Sequence, residues 1–296
     1  MIIQKHVNGI PLYRLEQGLK QEGAEISRAI MANWVIAVAK NYLSIMYDFF
    51  HRELVKRKYL MADETRGAGT QRARKKSGNT VVHVAVPKYR SGEDDLNPII
   101  LYNYQETRGG KIFDAIPKGK EYDYRLPAVQ GVGFIDRLFK LEEGIRKQPD
   151  FTYEKRYEFR LQKEKPILEA FWRWVNEQRP VRKSMFDTAV MYAKNHKEQL
   201  MNYLKDGHCS ISNNASENSI RPFTVGRKNW LFSDTLAGDE ASAVCYSLVE
   251  MAKAYSLNPY QYLVNLLEHR PSKEMSDEEL SKLAPWDQDI RKEFSI

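Results

Sequence analysis

The hydrophobic period of this chain changes twice, and that pattern limits its fold more than any single motif. Residues 1 to about 56 carry apolar side chains at helical spacing, 57–105 at strand spacing, and 129–205 at helical spacing again. Strands confined to one block between helical blocks predict an α+β (α/β) architecture. Within the block, 59–62, 80–86 and 97–104 read as three strands, and the polar Ser91-Gly-Glu-Asp-Asp95 joins the last two as an antiparallel pair. The first run, Tyr59-Leu-Met-Ala62, stops at Asp63 and Glu64. A buried strand does this when its last side chain emerges at a sheet edge.

In the N-terminal block, Pro11–Leu19 reads as a first helix, Gln21-Glu-Gly-Ala24 as a turn, and Ser27 as the cap of a long second helix through Tyr47. That order suits a DNA-reading helix-turn-helix, with Arg28 at the head of the second helix as a contact, and equally suits plain space filling. In the second helical block, Val129, Val132, Ile135, Leu138, Phe139 and the 141–145 segment form an amphipathic stripe, with further stripes at 167–175 and 185–204. Phe171, Trp172 and Trp174 read as core, and His196 and His208, which lie in no motif, as structural.

Ser212–Phe232 concentrates chemistry: Glu217 is followed by Arg221, Arg227, Lys228 and Trp230. Asn214 and Glu217 have capping-box spacing, and Glu217 and Arg221 share a helix face, so capping with an ion pair is one reading. Pro222 discourages helical geometry at Arg221 and predicts that the helix ends or kinks there. A functional reading needs a distant acid, which Asp63 supplies 154 positions upstream.

A net charge of +7 fits a protein that meets a polyanion. Between the first two strands lie Arg66, Arg72, Arg74, Lys75 and Lys76, with no acid from Thr65 through Gly92; the loop is either a solvated surface or a phosphate contact. Cys209 and Cys245 have no metal-ligand spacing. No run of about 18 apolar residues and no signal peptide are visible, so the expectation is a soluble, cytoplasmic protein without a membrane span.

Gln4–Arg14, Ala62-Asp-Glu-Thr65, Leu138–Glu142, Asn213-Asn-Ala-Ser-Glu217, Ile220-Arg-Pro222, Gly226–Phe232, Asn258-Pro-Tyr260 and Leu283-Ala-Pro-Trp286 together resemble the insertion sequence 66 family of transposases. The resemblance implies an RNase H-like catalytic core with an Asp, Asp, Glu triad that uses two magnesium (or manganese) ions roughly 3.5–4 Å apart to cut and join DNA. It implies Asp63 and Glu217 as catalytic metal ligands and Arg72, Arg74, Lys75, Lys76, Arg221, Arg227, Lys228, Trp230 and Arg28 as DNA contacts, Trp230 either stacking on a base or packing inward. Its partners would be DNA, a second copy or an intact transposase. Domains are expected at 1–56 (helical), 57–128 (truncated strand core), 129–209 (helical insertion), 210–235 (third acidic motif) and 236–296 (C-terminal helices).

The segment 106–128 is too short, and too broken by Gly and Pro, for the crossover helix and strand that would carry the second aspartate. An internal deletion near 108–111 is the expected reason, and it makes a catalytically defective chain; the resemblance separately implies an N-terminal truncation, of a further DNA-binding portion. A non-catalytic DNA-binding remnant is the alternative. Asp114, Asp123 and Asp206 are the candidates for a replacement ligand, and Ser212 stands where the family often has aspartate.

Overall fold

The computed structural model describes residues 1–57, 61–66, 80–85, 98–105, 126–212, 214–230 and 235–296; the strands at 61–66 and 80–85, and positions 104, 105, 214, 215, 227, 228 and 230, are described by their backbone. In chain order the elements are α1 (Ile2–His6), α2 (Leu12–Gln21), α3 (Arg28–Val38), a π turn (Ala39–Leu43), α4 (Ser44–Val55), β1 (Met61–Arg66), β2 (Thr80–Ala85), β3 (Ile100–Gln105), α5 (Pro127–Arg146), α6 (Tyr153–Phe159), a second π turn (Arg160–Glu164), α7 (Lys165–Glu177), α8 (Met185–Asn195), α9 (Lys197–Met201), a 3₁₀ turn (Asn202–Lys205), α10 (Asn214–Trp230), α11 (Leu236–Ala254), α12 (Pro259–His269), α13 (Asp277–Ser281) and α14 (Gln288–Phe294). This is an α+β protein with little sheet. It divides into two compact units, Met1–Gly110 with Asn213–Ile296, and Lys111–Ser212.

In the first unit α11 is the central helix. Residues from Ala241 to Ala252 are buried on nearly every side, and the small ones, Ala241, Ser242, Ala243, Cys245 and Ser247, let neighbours come close. Against it lies the continuous helix α3–π–α4, whose buried row Val35, Ala39, Leu43, Met46, Phe50 and Leu54 follows helical spacing. Ser27 caps this helix as predicted, accepting from the Ile30 N–H at 3.3 Å. The expectation of no long apolar segment needs correction: Arg28–Val55 contains an 18-residue window of mean hydropathy 1.3, enough by length and composition to cross a membrane. Of that window 28% is buried, and the buried row packs on α11. The closing Leu283-Ala-Pro-Trp286 serves the same core: Trp286 packs on Phe49 and Phe50, with ring centres 5.9 and 5.2 Å apart. Each such buried side chain contributes roughly 1.5–3 kcal/mol.

The sheet is antiparallel throughout, in the order β1-β2-β3. The second strand falls where the sequence puts it, and the third starts at Ile100, three residues after its expected start. The first is displaced: it runs from Met61 to Arg66, so Asp63 is its third residue and not its last. The cause is backbone pairing, since Glu64, Thr65 and Arg66 continue the ladder opposite Val82, Val81 and Thr80 although the apolar run has ended. The outer edge of β3 is closed by side chains. The Tyr102 N–H donates to Ser247 Oγ (2.8 Å) and its carbonyl accepts from the Tyr47 hydroxyl (2.9 Å).

The second unit is helical, with Leu138, Leu168, Phe171, Trp172, Val175, Val190, Tyr203 and Leu204 in its core. His196 and His208 make structural contacts: His196 stacks on Tyr192 and His208 on Tyr153. The stripe on α5 is only partly inward. Ile135 and Phe139 are exposed, and the buried row is Leu138, Glu142 and Ile145, with an acid at its centre.

Candidate nucleic-acid site

Helix α10 carries Glu217 and packs along β1 and β2. Ser216, Ile220 and Phe223 recur at i, i+4 and i+7 and are buried, which turns Glu217, Asn218, Arg221, Val225 and Asn229 outward. Phe223 joins Tyr102 and Tyr246 in a small aromatic cluster that ties α10 to β3 and α11. Register places Asp63, His83 and Tyr102 in one row across the three strands. Tyr102 is buried, and its hydroxyl donates to the Ser219 carbonyl on α10. The row containing the strand acid therefore ends on the helix that carries the other acid.

Three sequence expectations change on α10. The helix does not end at Pro222 but continues to Trp230. Its proline ring removes the N–H that would bond to the Asn218 carbonyl, and the anchors Ile220 and Phe223 on either side hold the helix across that gap. Nor do Glu217 and Arg221 pair: both are exposed, and no ion pair joins them among the described residues. The helix starts at Asn214 itself, so Asn214 is not the residue before the first turn.

The remaining candidates scatter. Arg227, Lys228 and Trp230 lie in the last turn of α10. Arg72, Arg74, Lys75, Lys76, Asp114 and Asp123 lie outside the described residues. Arg28 is exposed at the head of α3, where its N–H donates to Glu16 Oε1 (2.9 Å), and the outward residues beside it are Ile30 and Trp34. Asp206 belongs to the second unit, and its carboxylate accepts from the His208 N–H (2.9 Å) and contacts His208 Nδ1 (2.7 Å). Among the described residues no three His, Cys, Asp or Glu side chains cluster as a metal site.

Sequence reasoning missed the partner of α10 on its other flank. The N-terminal segment, part of the Gln4–Arg14 motif, lies on α10 and α11 as a strap. His6 is buried edge-on against Tyr246 (4.9 Å), with its basicity lowered well below the ordinary range by burial and then by Lys5. Lys5 Nζ reaches Ser242 Oγ at 3.4 Å, and Asn229 Nδ2 donates to the Gly9 carbonyl at 2.9 Å. Gly9 has φ +67°, and a Cβ there would lie 2.8 Å from Asn229 Nδ2. Gly9→Ala is expected to cost about 1–3 kcal/mol in a denaturant titration, because it adds both strain and a clash; an unchanged midpoint would mean that the strap is free to move.

An α+β protein with a strand acid and a helix acid on packed elements belongs to a broad class. The comparisons narrow it. The profile described as Transposase IS66 family matches residues 1–126 and 120–241, and the IS66 C-terminal element matches 247–286. The chain belongs to the IS66 family of transposases. It is similar to three uncharacterized proteins of Sinorhizobium fredii. Protein y4qI is 23% identical over 331 residues, covering 96% of this chain and 60% of that protein. Protein y4hP is 26% identical over 162 residues, 54% of this chain and 28% of that protein. Protein y4jD is 22% identical over 332 residues, 97% of this chain and 64% of that protein. The chain thus spans less than two thirds of each of these relatives. No solved structure matches.

Proposed function

We propose that this chain is a DNA-binding transposase of the DDE type, built on an RNase H-like core, whose acidic set lacks its second carboxylate. The observation that carries the reading is the packing of α10, with Glu217, along β1, with Asp63. Directly opposed residues on antiparallel strands share a sheet face, and register puts Asp63 in the same row as Tyr102, whose hydroxyl meets α10. Two findings support an internal deletion. The family profile matches in two pieces that overlap at 120–126, close to the segment that the sequence reads as too short for a crossover helix and strand. The alignment to y4qI runs over 331 positions against a chain of 296, so at least 35 of them face gaps here.

Asp63 and Glu217 offer oxygen donors, the kind that magnesium and manganese take. Such ions, when bound, polarise a phosphodiester and activate its attacking hydroxyl. Two carboxylates fit a single weakly held ion better than a pair. The test is calorimetric titration of manganese into wild type, Asp63→Ala and Glu217→Ala: binding is expected to be weak in the first and lost in the others, and equal binding by all three rejects the assignment. Arg28, Arg221, Arg227, Lys228 and the 72–76 cations would hold phosphates and Trp230 a base, in a cytoplasmic protein acting on DNA. Each lost phosphate contact should lower the slope of log affinity against log salt by roughly 0.9 on duplex DNA. Charge-reversed variants that keep the wild-type slope would make these residues plain surface. A chain that binds ends without cutting them would compete with an intact transposase, which is the second reading.

A further inference from the structure

The strap and the outward face of α10 flank an open cleft of 380 Å³ lined by Asn8, Gly9, Asn218, Arg221, Val225 and Asn229, with His6, Tyr246 and Lys253 among its other walls. Its lining is more apolar than polar, with Val7, Pro222, Val225 and Tyr246 among the walls, and its polar groups are few and specific. Three side-chain amides lie on it: Asn8 Nδ2 and Asn229 Nδ2 each donate one bond within the protein, to Gln4 Oε1 and to the Gly9 carbonyl (2.9 Å each), which leaves each its Oδ1 and a second N–H; Pro222 takes away the helical N–H that the Asn218 carbonyl would bond, and Arg221 brings a cation that no described acid neutralises. Lys253 pairs with Glu250 at 2.8 Å, which leaves Arg221 to set the charge. The volume is at the small end of ligand sites, roughly 300–1,000 Å³, enough for one nucleotide but not a run of them. The cleft begins one residue after Glu217 on the same helix.

We propose that this cleft is a nucleotide subsite, which takes one deoxynucleotide of the strand beside the bond to be processed, its phosphate against Arg221 and its base edge among Asn8, Asn218 and Asn229. Asn reads a base edge through paired donor and acceptor, and Arg holds phosphate in a fork. The proposal rests on the DNA-processing reading above, and gives the N-terminal motif a role as the outer wall of the subsite.

The experiment uses the full chain with duplexes carrying a single-stranded end, in which 2-aminopurine is moved one position at a time, and with free deoxynucleoside monophosphates. The variants are Asn8→Ala, Asn218→Ala and Val225→Glu, the last of which puts a negative charge at the exposed mouth without touching the strap. One reporter position is expected to change fluorescence in wild type and not in the variants, with strand affinity about tenfold weaker, the loss of one good base contact. The salt slope stays unchanged in the two Asn variants. Response to the strand but not to monophosphates identifies a position within DNA as the occupant, and response to both identifies a site for the nucleotide itself. If wild type binds duplex in a salt-dependent way while every reporter and variant behaves alike, the subsite is overturned and the transposase reading stands. If wild type binds no DNA, both fall. Matching melting curves for the three variants exclude misfolding as the cause of any loss.

Discussion

Incubated with supercoiled plasmid in magnesium or manganese, the purified chain is expected to leave the DNA uncut and unjoined. Phosphodiester cleavage by paired metal ions needs enough negative charge in one place to hold both cations against their hydration. Asp63 and Glu217 stand on packed elements, β1 and α10, and among the described residues no three His, Cys, Asp or Glu side chains cluster as a metal site. The loss would remove scaffold as well as charge. β1 pairs on one side with β2, and no strand pairs its other side among the described residues. Of the three acids considered as replacements, Asp206 lies in the other compact unit and is engaged by His208. The assay sets the chain beside an intact paralogue on a plasmid bearing the element's ends. Metal-dependent nicking that Asp63→Ala abolishes would overturn the expectation and point to Asp114 or Asp123.

The α+β class, the three strands and the Ser27 cap were legible because each follows from a local period or a local hydrogen bond. What failed depends on partners. The run of apolar residues ends at Ala62, but pairing with β2 does not, and so Asp63 lies inside β1 opposite His83, which no local signal connects with it. Pro222 looked like a terminator, yet the burial of Ile220 and Phe223 outweighs one lost hydrogen bond. The cleft joins Asn8 to Asn218, too far apart in sequence for any spacing rule to connect. Glu142 left the one faint signal, an acid on the inner row of α5 between Leu138 and Ile145.

Replacing Glu142 is the substitution expected to cost the most stability. Its carboxylate is 3% exposed and accepts from Arg156 Nε and Nη2 (2.9 and 2.5 Å) and from Arg160 Nε, while both arginines are sealed from solvent. The guanidinium groups spend their other donors on backbone: Arg156 on the Gly207 carbonyl, Arg160 on those of Tyr203, Asp206 and Cys209. Two buried cations thus staple α6 and the π turn to the 203–209 loop, and one anion balances them. The chain comes so close at Gly207 that a Cβ there would meet the Tyr153 carbonyl at 1.9 Å.

Burial alone would raise the Glu142 pKa, but the hydrogen bonds from Arg160 and Arg156 outweigh it and hold it below the usual carboxylate range. Glu142→Gln strands both cations, at a cost of about 3–5 kcal/mol. Hydrogen exchange of amides in 138–209 should quicken by roughly two to three orders of magnitude, at about tenfold per 1.4 kcal/mol. Unchanged exchange would mean that water reaches the network.

Glu164, which accepts from the Tyr203 hydroxyl at 2.9 Å, behaves oppositely. Burial, then the Glu142 charge, pushes its pKa up from 4.5 to about 7. The native state holds this proton more tightly than the unfolded chain, so the group's contribution is full below about pH 4.5 and is lost as pH rises through 7. Glu164→Gln, which keeps the acceptor and cannot ionise, should therefore gain on wild type as pH rises from 5 to 8, as measured by denaturant midpoints. A difference that does not change with pH would show that Glu164 is ionised throughout and stabilised by Arg160.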